Sequence, residues 1–146
     1  MEVRPLKISE LNDVLELIDS FDRPSAPRPN DQQLSQIFYF LKQAGGEVIG
    51  AFIEGSLVGT CTLNMCLNLS WSGRPFAIIE NVIVERSHRK KGIGKAILIF
   101  ARELAKSKNC YKVALMTGSK RESTLKFYES AGFLGNKTGF EVRFDA

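Results

Sequence analysis

The sequence predicts an α/β chain of the α+β type, with a mixed, mostly antiparallel central sheet and helices on both faces. Three observations carry that expectation. Apolar residues recur at helical spacing both before and after a block of strand-like segments. Within the block, short glycine-containing turns join the segments, as in an antiparallel meander. After it come a helix and a further strand, the pattern of a parallel crossover. The 146 residues suffice for one core and are too few for two ordinary ones, so residues 1–146 read as a single domain.

In chain order, Val3 to Lys7 reads as a first strand. Ser9 is placed to cap a helix from Glu10 to Phe21, with Leu11, Val14, Leu15, Ile18 and Phe21 on its inner face. Asp22 to Asn30 holds three of the five prolines, which lack the donor that regular structure needs. A second helix starts near Asp31, turns Leu34, Ile37, Phe38 and Leu41 inward, and stops at Gly45-Gly46. Val48 to Glu54 and Leu57 to Leu69 flank a two-residue turn at Gly55-Ser56. A turn at Trp71 to Pro75 leads into the apolar strand Phe76 to Val84. A helix from Ile93 to about Ser107, a strand from Tyr111 to Met116 and a helix from Glu122 to Ala131 follow, the last closed by Gly132. Phe133 to Phe144 is expected to form a final hairpin around Gly135-Asn136.

Composition excludes several classes. With 44% hydrophobic and 25% charged residues the chain is neither disordered nor membrane-spanning. Its longest apolar stretch, Val48 to Leu63, is broken by Gly50, Glu54, Gly55 and Gly59, short of the ~18 apolar residues that a span needs. Met1 to Pro5 has no secretory pattern, so a cytoplasmic location with no membrane partner is expected. Cys61, Cys66 and Cys110 form no C-x-x-C pair and read as small buried thiols kept reduced. His88 is the only histidine and reads as a solvated loop residue; neither a catalytic cysteine pair nor a metal site is expected.

The net charge of +4 matters less than its placement, because Arg86, Arg89, Lys90, Lys91 and Lys95 cluster against one acid, Glu85. A buried strand runs into this cluster, and a helix leaves it at Gly92-Ile93-Gly94. The first turn of a helix has unpaired N–H groups and the positive end of the dipole, which suits a diphosphate. Glycines there let oxygens approach the backbone. The dinucleotide fingerprint fails because Ile97 stands where its third glycine belongs, and the P-loop fails because Ala96 follows Gly94-Lys95. A basic helix start with no ligand at all stays open as a purely structural alternative.

Arg89-Lys90-Lys91-Gly92-Ile93-Gly94 resembles the Arg/Gln-x-x-Gly-x-Gly/Ala signature of the GNAT superfamily of N-acetyltransferases. Downstream, Phe127-Tyr128-Glu129 to Gly132-Phe133 is similar to that family's second motif, in the same order and on the same elements. The resemblance covers Phe76 to Phe133. It implies a GNAT-like acyl-CoA N-acyltransferase fold whose two central parallel strands splay around acetyl-CoA, with coenzyme A as product. The backbones of Ile83 and Val84 are then expected to pair with the pantetheine arm. Arg89, Lys90, Lys91, Gly92, Ile93 and Gly94 are expected to hold the diphosphate, with Lys95 nearby. Homodimers are common in the family, so one is an expectation by analogy.

Transfer to an amine needs a base, because a lysine-like amine with a pKa of ~10.4 is almost all protonated at neutral pH. Glu80 lies on the strand before the motif and is the candidate, directly or through water; hydrogen bonding to backbone or to Arg74 is its structural alternative. Tyr128 is the candidate acid for the leaving thiolate, with half-buried packing beside Phe127 as its alternative. A backbone N–H near Ile83 would meet the oxyanion. Two positions depart from the family pattern: Arg121 stands in place of a frequent asparagine and Thr124 in place of an alanine. Ser119 and Ser123 read as helix caps rather than nucleophiles.

The acceptor implied is a primary amine, foremost of a small molecule. Ile79 to Val84 and Cys110-Tyr111-Lys112 look similar to sugar-phosphate N-acetyltransferases. A protein N-terminus or lysine is the competing acceptor. A non-catalytic acyl-CoA-binding regulator competes from another class. A nucleic-acid binder is disfavoured, since no recognised motif accompanies the basic cluster. The acceptor pocket is expected from Asp22 to Asp31, the Leu69 to Arg74 turn and the final hairpin.

Overall fold

Alternation of apolar residues builds a five-stranded sheet: β1 (Glu2–Pro5), β2 (Glu47–Ile53), β3 (Ser56–Cys66), β4 (Phe76–Val84) and β5 (Val113–Leu115), side by side in that order. Neighbours from β1 to β4 pair antiparallel, while β4 and β5 pair parallel across α3 (Ile93–Ser107). The computed structural model describes residues 1–21 and 26–145. On one face Ile49, Ala51, Cys61, Leu63, Ala77 and Ile79 pack against α3, where Ile97, Leu98 and Ala101 are wholly buried. On the other, Val48, Phe52 and Leu57 meet α1 (Leu11–Asp19) and α2 (Asp31–Gln43). Full burial of each larger side chain contributes about 1.5–3 kcal/mol. The mixed sheet with helices on both faces is therefore present.

Local chemistry moved several boundaries. Ser9 does not cap α1. A 3-10 turn (Ile8–Glu10) precedes the helix instead, and no side-chain hydrogen bond caps α1; the Glu10 carboxylate reaches back to the Lys7 N–H at 2.9 Å and clamps Arg4 at 2.8 and 2.9 Å. The Arg4 guanidinium foremost, with the Lys7 N–H, holds the Glu10 carboxyl down at about 2. Of the proline-rich segment, Asp22 to Ser25 lie outside the described residues, and 26–30 have no regular structure. Asn30 and Gln33 cap each other reciprocally at 2.8 Å, so α2 starts at Asp31 as expected. Only Leu34, Phe38 and Leu41 of α2 reach the core; Ile37, expected inside, is 55% exposed.

The β2–β3 turn falls on Glu54-Gly55, one residue before the expected pair. Both adopt positive φ (48° and 81°), as a primed two-residue turn demands. β4 and α3 have the expected limits, and α4 (Glu122–Ser130) ends one residue early. The expected final hairpin does not form, and 133–145 contain no strand. Its first arm would be Phe133-Leu134, but the Phe133 N–H is already bound to the Tyr128 carbonyl at 3.1 Å. The three cysteines are free, and burial pushes the Cys61 thiol up to about 12. Among the described residues no helix is long and apolar enough to cross a membrane.

Candidate active site

The site begins where β4 outruns β5. Ala77 to Ile79 pair with Val113 to Leu115, and beyond that Glu80 to Val84 keep only β3 as neighbour. A bulge marks the divergence: Asn81 and Val82 together oppose Cys61, with Asn81 at φ 55°. Bulges bend a strand and re-aim its side chains. The expected parting of the two parallel strands is thus built into β4.

Backbone phase decides which residue faces the gap. The Glu85 N–H bonds the Val58 carbonyl at 2.8 Å, and Ile83 is in register with Thr60. Alternation then turns the Ile83 peptide groups toward β3 and those of Val84 toward the gap. Ile83 supplies a buried side chain instead (2% exposed). The Val84 carbonyl accepts Arg89 Nε at 3.0 Å, and the Arg89 guanidinium also lies 5.9 Å from the Phe21 ring centre.

The gap leads to the start of α3. Among the described residues the N–H groups from Lys90 to Lys95 have no hydrogen-bond partner; the first backbone bond of the helix is Ala96 N–H to Gly92 carbonyl. Lys90 and Gly92 adopt positive φ (61° and 82°), and nothing lies within 4 Å of where a Gly92 Cβ would be. Lys90, Lys91 and Lys95 are exposed around these donors. The donor set and open approach fit a diphosphate. Gly94 departs from expectation: it is buried, and a Cβ there would lie 2.9 Å from Cζ of Phe127. Its missing side chain makes a socket for α4 rather than room for oxygens. Phe127, expected only as part of the second motif and as a neighbour of Tyr128, thereby docks α4 on the helix start.

That docking carries Tyr128. The tyrosine is half-buried, its ring 5.0 Å from and at 61° to that of Phe127. Burial pushes its phenol up, so at neutral pH it keeps its proton. Glu80 is exposed rather than buried, in register with Thr62, where β4 loses β5. Arg74 is not its partner, being spent on the carbonyls of Asn109 and Cys110 at 3.2 and 3.1 Å.

The Glu80 face of the sheet also carries Asn64, two residues along β3 from Thr62. Asn64 lines an open groove of about 1020 Å³ together with Arg28, Gln33, Ile37, Phe40 and Met65. Pro27, Arg28 and Pro29 of the proline-rich segment line this groove; the Leu69 to Arg74 turn does not. His88 is not simply solvated, since its Nδ1 lies 2.8 Å from Glu85 and 3.0 Å from Ser87. Arg121 is exposed; its N–H and Thr124 are tied to the Ser119 hydroxyl at 3.3 and 3.1 Å, and Ser123 sits within α4. Among the described residues no cluster of three metal-ligating side chains occurs.

Residues 11–133 match the model of the acetyltransferase (GNAT) family. The chain belongs to the GNAT family of acetyltransferases. Over 147 residues it is 34% identical to a glucosamine 6-phosphate N-acetyltransferase of Trypanosoma brucei brucei, covering 99% of this chain and 95% of that one. Its fold superposes on a putative acetyltransferase from Agrobacterium tumefaciens with a TM-score of 0.86 and 36% identity, covering 99% and 100% of the two chains. A Trypanosoma brucei acetyltransferase structure follows at 0.80 and 32%, covering 98% and 99%. As a GNAT acetyltransferase the protein is an enzyme.

Proposed function

We propose that this acetyltransferase takes its acetyl group from acetyl-CoA and gives it to the primary amine of a small amino-sugar phosphate. The observation that carries the reading is the row of unpartnered N–H groups from Lys90 to Lys95 beside the open edge of β4. The row holds the diphosphate, helped by Lys90, Lys91 and Lys95. Val84 offers its peptide groups to the pantetheine arm, and Arg89 steadies that edge through the Val84 carbonyl. Residues 1–146 act as one domain.

Chemistry divides between two side chains. Glu80 takes a proton from the acceptor's ammonium group, directly or through water, and leaves the neutral amine that can attack. As nitrogen bonds to the acetyl carbonyl carbon, the carbon–sulfur bond breaks, Tyr128 gives its phenolic proton to the departing sulfur, and the second proton shed by the acylated nitrogen passes through water to restore the phenol. Its raised pKa keeps that proton available. The groove between α2 and β3 receives the acceptor, with Arg28 as a cation for its phosphate and Asn64 for its hydroxyls. The named substrate of the Trypanosoma relative supports this acceptor class.

The test is thiol release from acetyl-CoA with glucosamine 6-phosphate, glucosamine, a free-N-terminal peptide and a lysine peptide. The phosphorylated amino sugar is expected to give the highest kcat/KM. Turnover confined to a peptide would contradict the acceptor, and no turnover with any amine while acetyl-CoA binds would favour a regulator.

A further inference from the structure

The helix that carries Tyr128 has little of its own to hold it. α4 has nine residues, none fully buried, and helices shorter than about 12–15 residues are marginal on their own. Its end is fixed by the backbone of the residues that follow. The Gly132 N–H bonds the Glu129 carbonyl at 2.9 Å, and the Phe133 N–H bonds the Tyr128 carbonyl at 3.1 Å. With Gly132 at φ 92°, these two bonds make a Schellman cap that starts on Tyr128 itself. Neither bond uses the carbonyl of Ala131, a residue only 1% exposed. A backbone acceptor so placed needs a partner from elsewhere.

A side chain of α3 supplies it. Arg102 Nη1 donates to the Ala131 carbonyl at 2.8 Å. The guanidinium fits there because residue 132 has no side chain; a Cβ on Gly132 would collide with Nη1. A cation at a helix C-terminus also meets the negative end of the dipole. Nη2 lies 3.4 Å from the exposed Glu103 carboxylate, so the carbonyl holds the shorter of the two contacts. Among the described residues no other hydrogen bond joins α3 to α4 or to its cap.

Gly94, Leu98 and Arg102 fall at i, i+4 and i+8, along one stripe of α3. The socket at Gly94 takes Phe127 and Arg102 takes Ala131, so Tyr128 lies between two attachments of α4 to the same stripe. Apolar contacts of Phe127, Tyr128 and Ala131 hold α4 on the core without a preferred direction. The hydrogen bond adds the direction. We infer that Arg102 is a positioning residue for acetyl transfer: by holding the Ala131 carbonyl it sets the turn of α4, and with it the aim of the Tyr128 phenol at the departing sulfur. This role presupposes Tyr128 as the proton donor of the proposed reaction.

A cycle of Arg102→Met and Tyr128→Phe, alone and combined, tests this, using acetyl-CoA and the best of the four amines named above. Single-turnover rates report the transfer step, and KM is measured for both substrates. Arg102→Met is expected to slow transfer about 10–10²-fold, with both KM values unchanged. Arg102→Lys, which restores a charged donor, should recover most of that rate. On the Tyr128→Phe background Arg102→Met should change the rate less than about twofold, since no phenolic proton is left to misplace. A wild-type rate in Arg102→Met overturns the inference, as does an equal loss with and without the Tyr128 hydroxyl. A fully active Tyr128→Phe instead removes the acid reading, and the inference with it. Circular dichroism checks folding; if Arg102→Met does not fold, Arg102→Gln, neutral and shorter, takes its place in the cycle.

Discussion

On the α3 face of the sheet, Ile97, Leu98 and Ala101 have no exposed surface, and Ile93 and Ala105 almost none. On the opposite face α2 has no buried residue at all and leaves Ile37, Tyr39 and Phe40 more than half exposed. Close packing transmits small displacements, whereas an open face absorbs them. The α3 face therefore fixes the helix start that is proposed to meet a diphosphate of constant shape. The α2 face leaves a groove whose contents can differ without disturbing the core. Substitutions that enlarge a side chain should be costly on the first face and nearly silent for stability on the second.

The largest effect should come from Tyr128, which α4 holds against the α3 side. Tyr128→Phe keeps the ring and its packing on Phe127, and kcat is expected to fall about 10²–10⁴-fold with acetyl-CoA affinity unchanged. Burial raises the phenol above its ordinary value of 10.0. The protonated form therefore persists beyond that pH, and the wild-type rate should not decline on the alkaline side before about pH 10. Glu80→Gln, on the groove side, should instead regain part of its activity as pH rises and the amine loses its own proton. Profiles of kcat/KM from pH 6 to about 10 separate the two. A Tyr128→Phe enzyme of full activity, with chemistry rate-limiting, would reduce Tyr128 to packing.

Next in size is the socket. Gly94→Ala puts a methyl 2.9 Å from the Phe127 ring, which is expected to cost about 1–3 kcal/mol and to lower kcat by displacing Tyr128. Shortening the ring in Gly94→Ala/Phe127→Leu should restore part of the stability, the coupling expected of touching residues. Gly92→Ala meets no neighbour but forces a positive φ on alanine, about 1–2 kcal/mol of strain with α4 still docked. Thermal unfolding and turnover of the three variants give the comparison. Equal loss of kcat in Gly92→Ala and Gly94→Ala would show that the socket does not position the tyrosine.

On the open face Ile37→Ser should be the mildest. With the side chain 55% exposed, stability should stay within about 0.5 kcal/mol, while KM for the acceptor rises and kcat holds. A change in acetyl-CoA affinity instead would mean that the groove belongs to the cofactor.

The two faces were also unequally legible in the sequence. β4 and α3 could be bounded to the residue, because an unbroken apolar strand, a turn with its glycines and a helix of period 3.6 leave little choice. The helix start at Ile93 with its free N–H groups was legible because a basic, glycine-containing turn stands between an apolar strand and a run of period 3.6. Gly94 was misread: small size is visible in a sequence, but whether the vacated space faces solvent or a phenylalanine from a distant helix is not. The side of Val84 that faces the gap depends on the Asn81-Val82 bulge, which no local pattern announces. Ile37 fits an inward stripe yet sits at the rim, because of the apolar residues of α2 only Leu34, Phe38 and Leu41 pack into that core. The final hairpin expected over Phe133 to Phe144 does not form, and the bond that ties the Phe133 N–H to the Tyr128 carbonyl is not announced by any local pattern. Groove residues such as Arg28 and Asn64 come from irregular or edge positions and carry no motif.

The central claim is that backbone N–H groups at the start of α3 hold the diphosphate, and amide NMR tests it residue by residue. In a titration of ¹⁵N-labelled protein with coenzyme A, the amides of Lys90 to Lys95 should show the largest shifts. Val84, facing the gap, should move more than Ile83, which is bound to β3. Binding that leaves Lys90 to Lys95 unmoved and shifts residues lining the α2 groove instead would contradict the account.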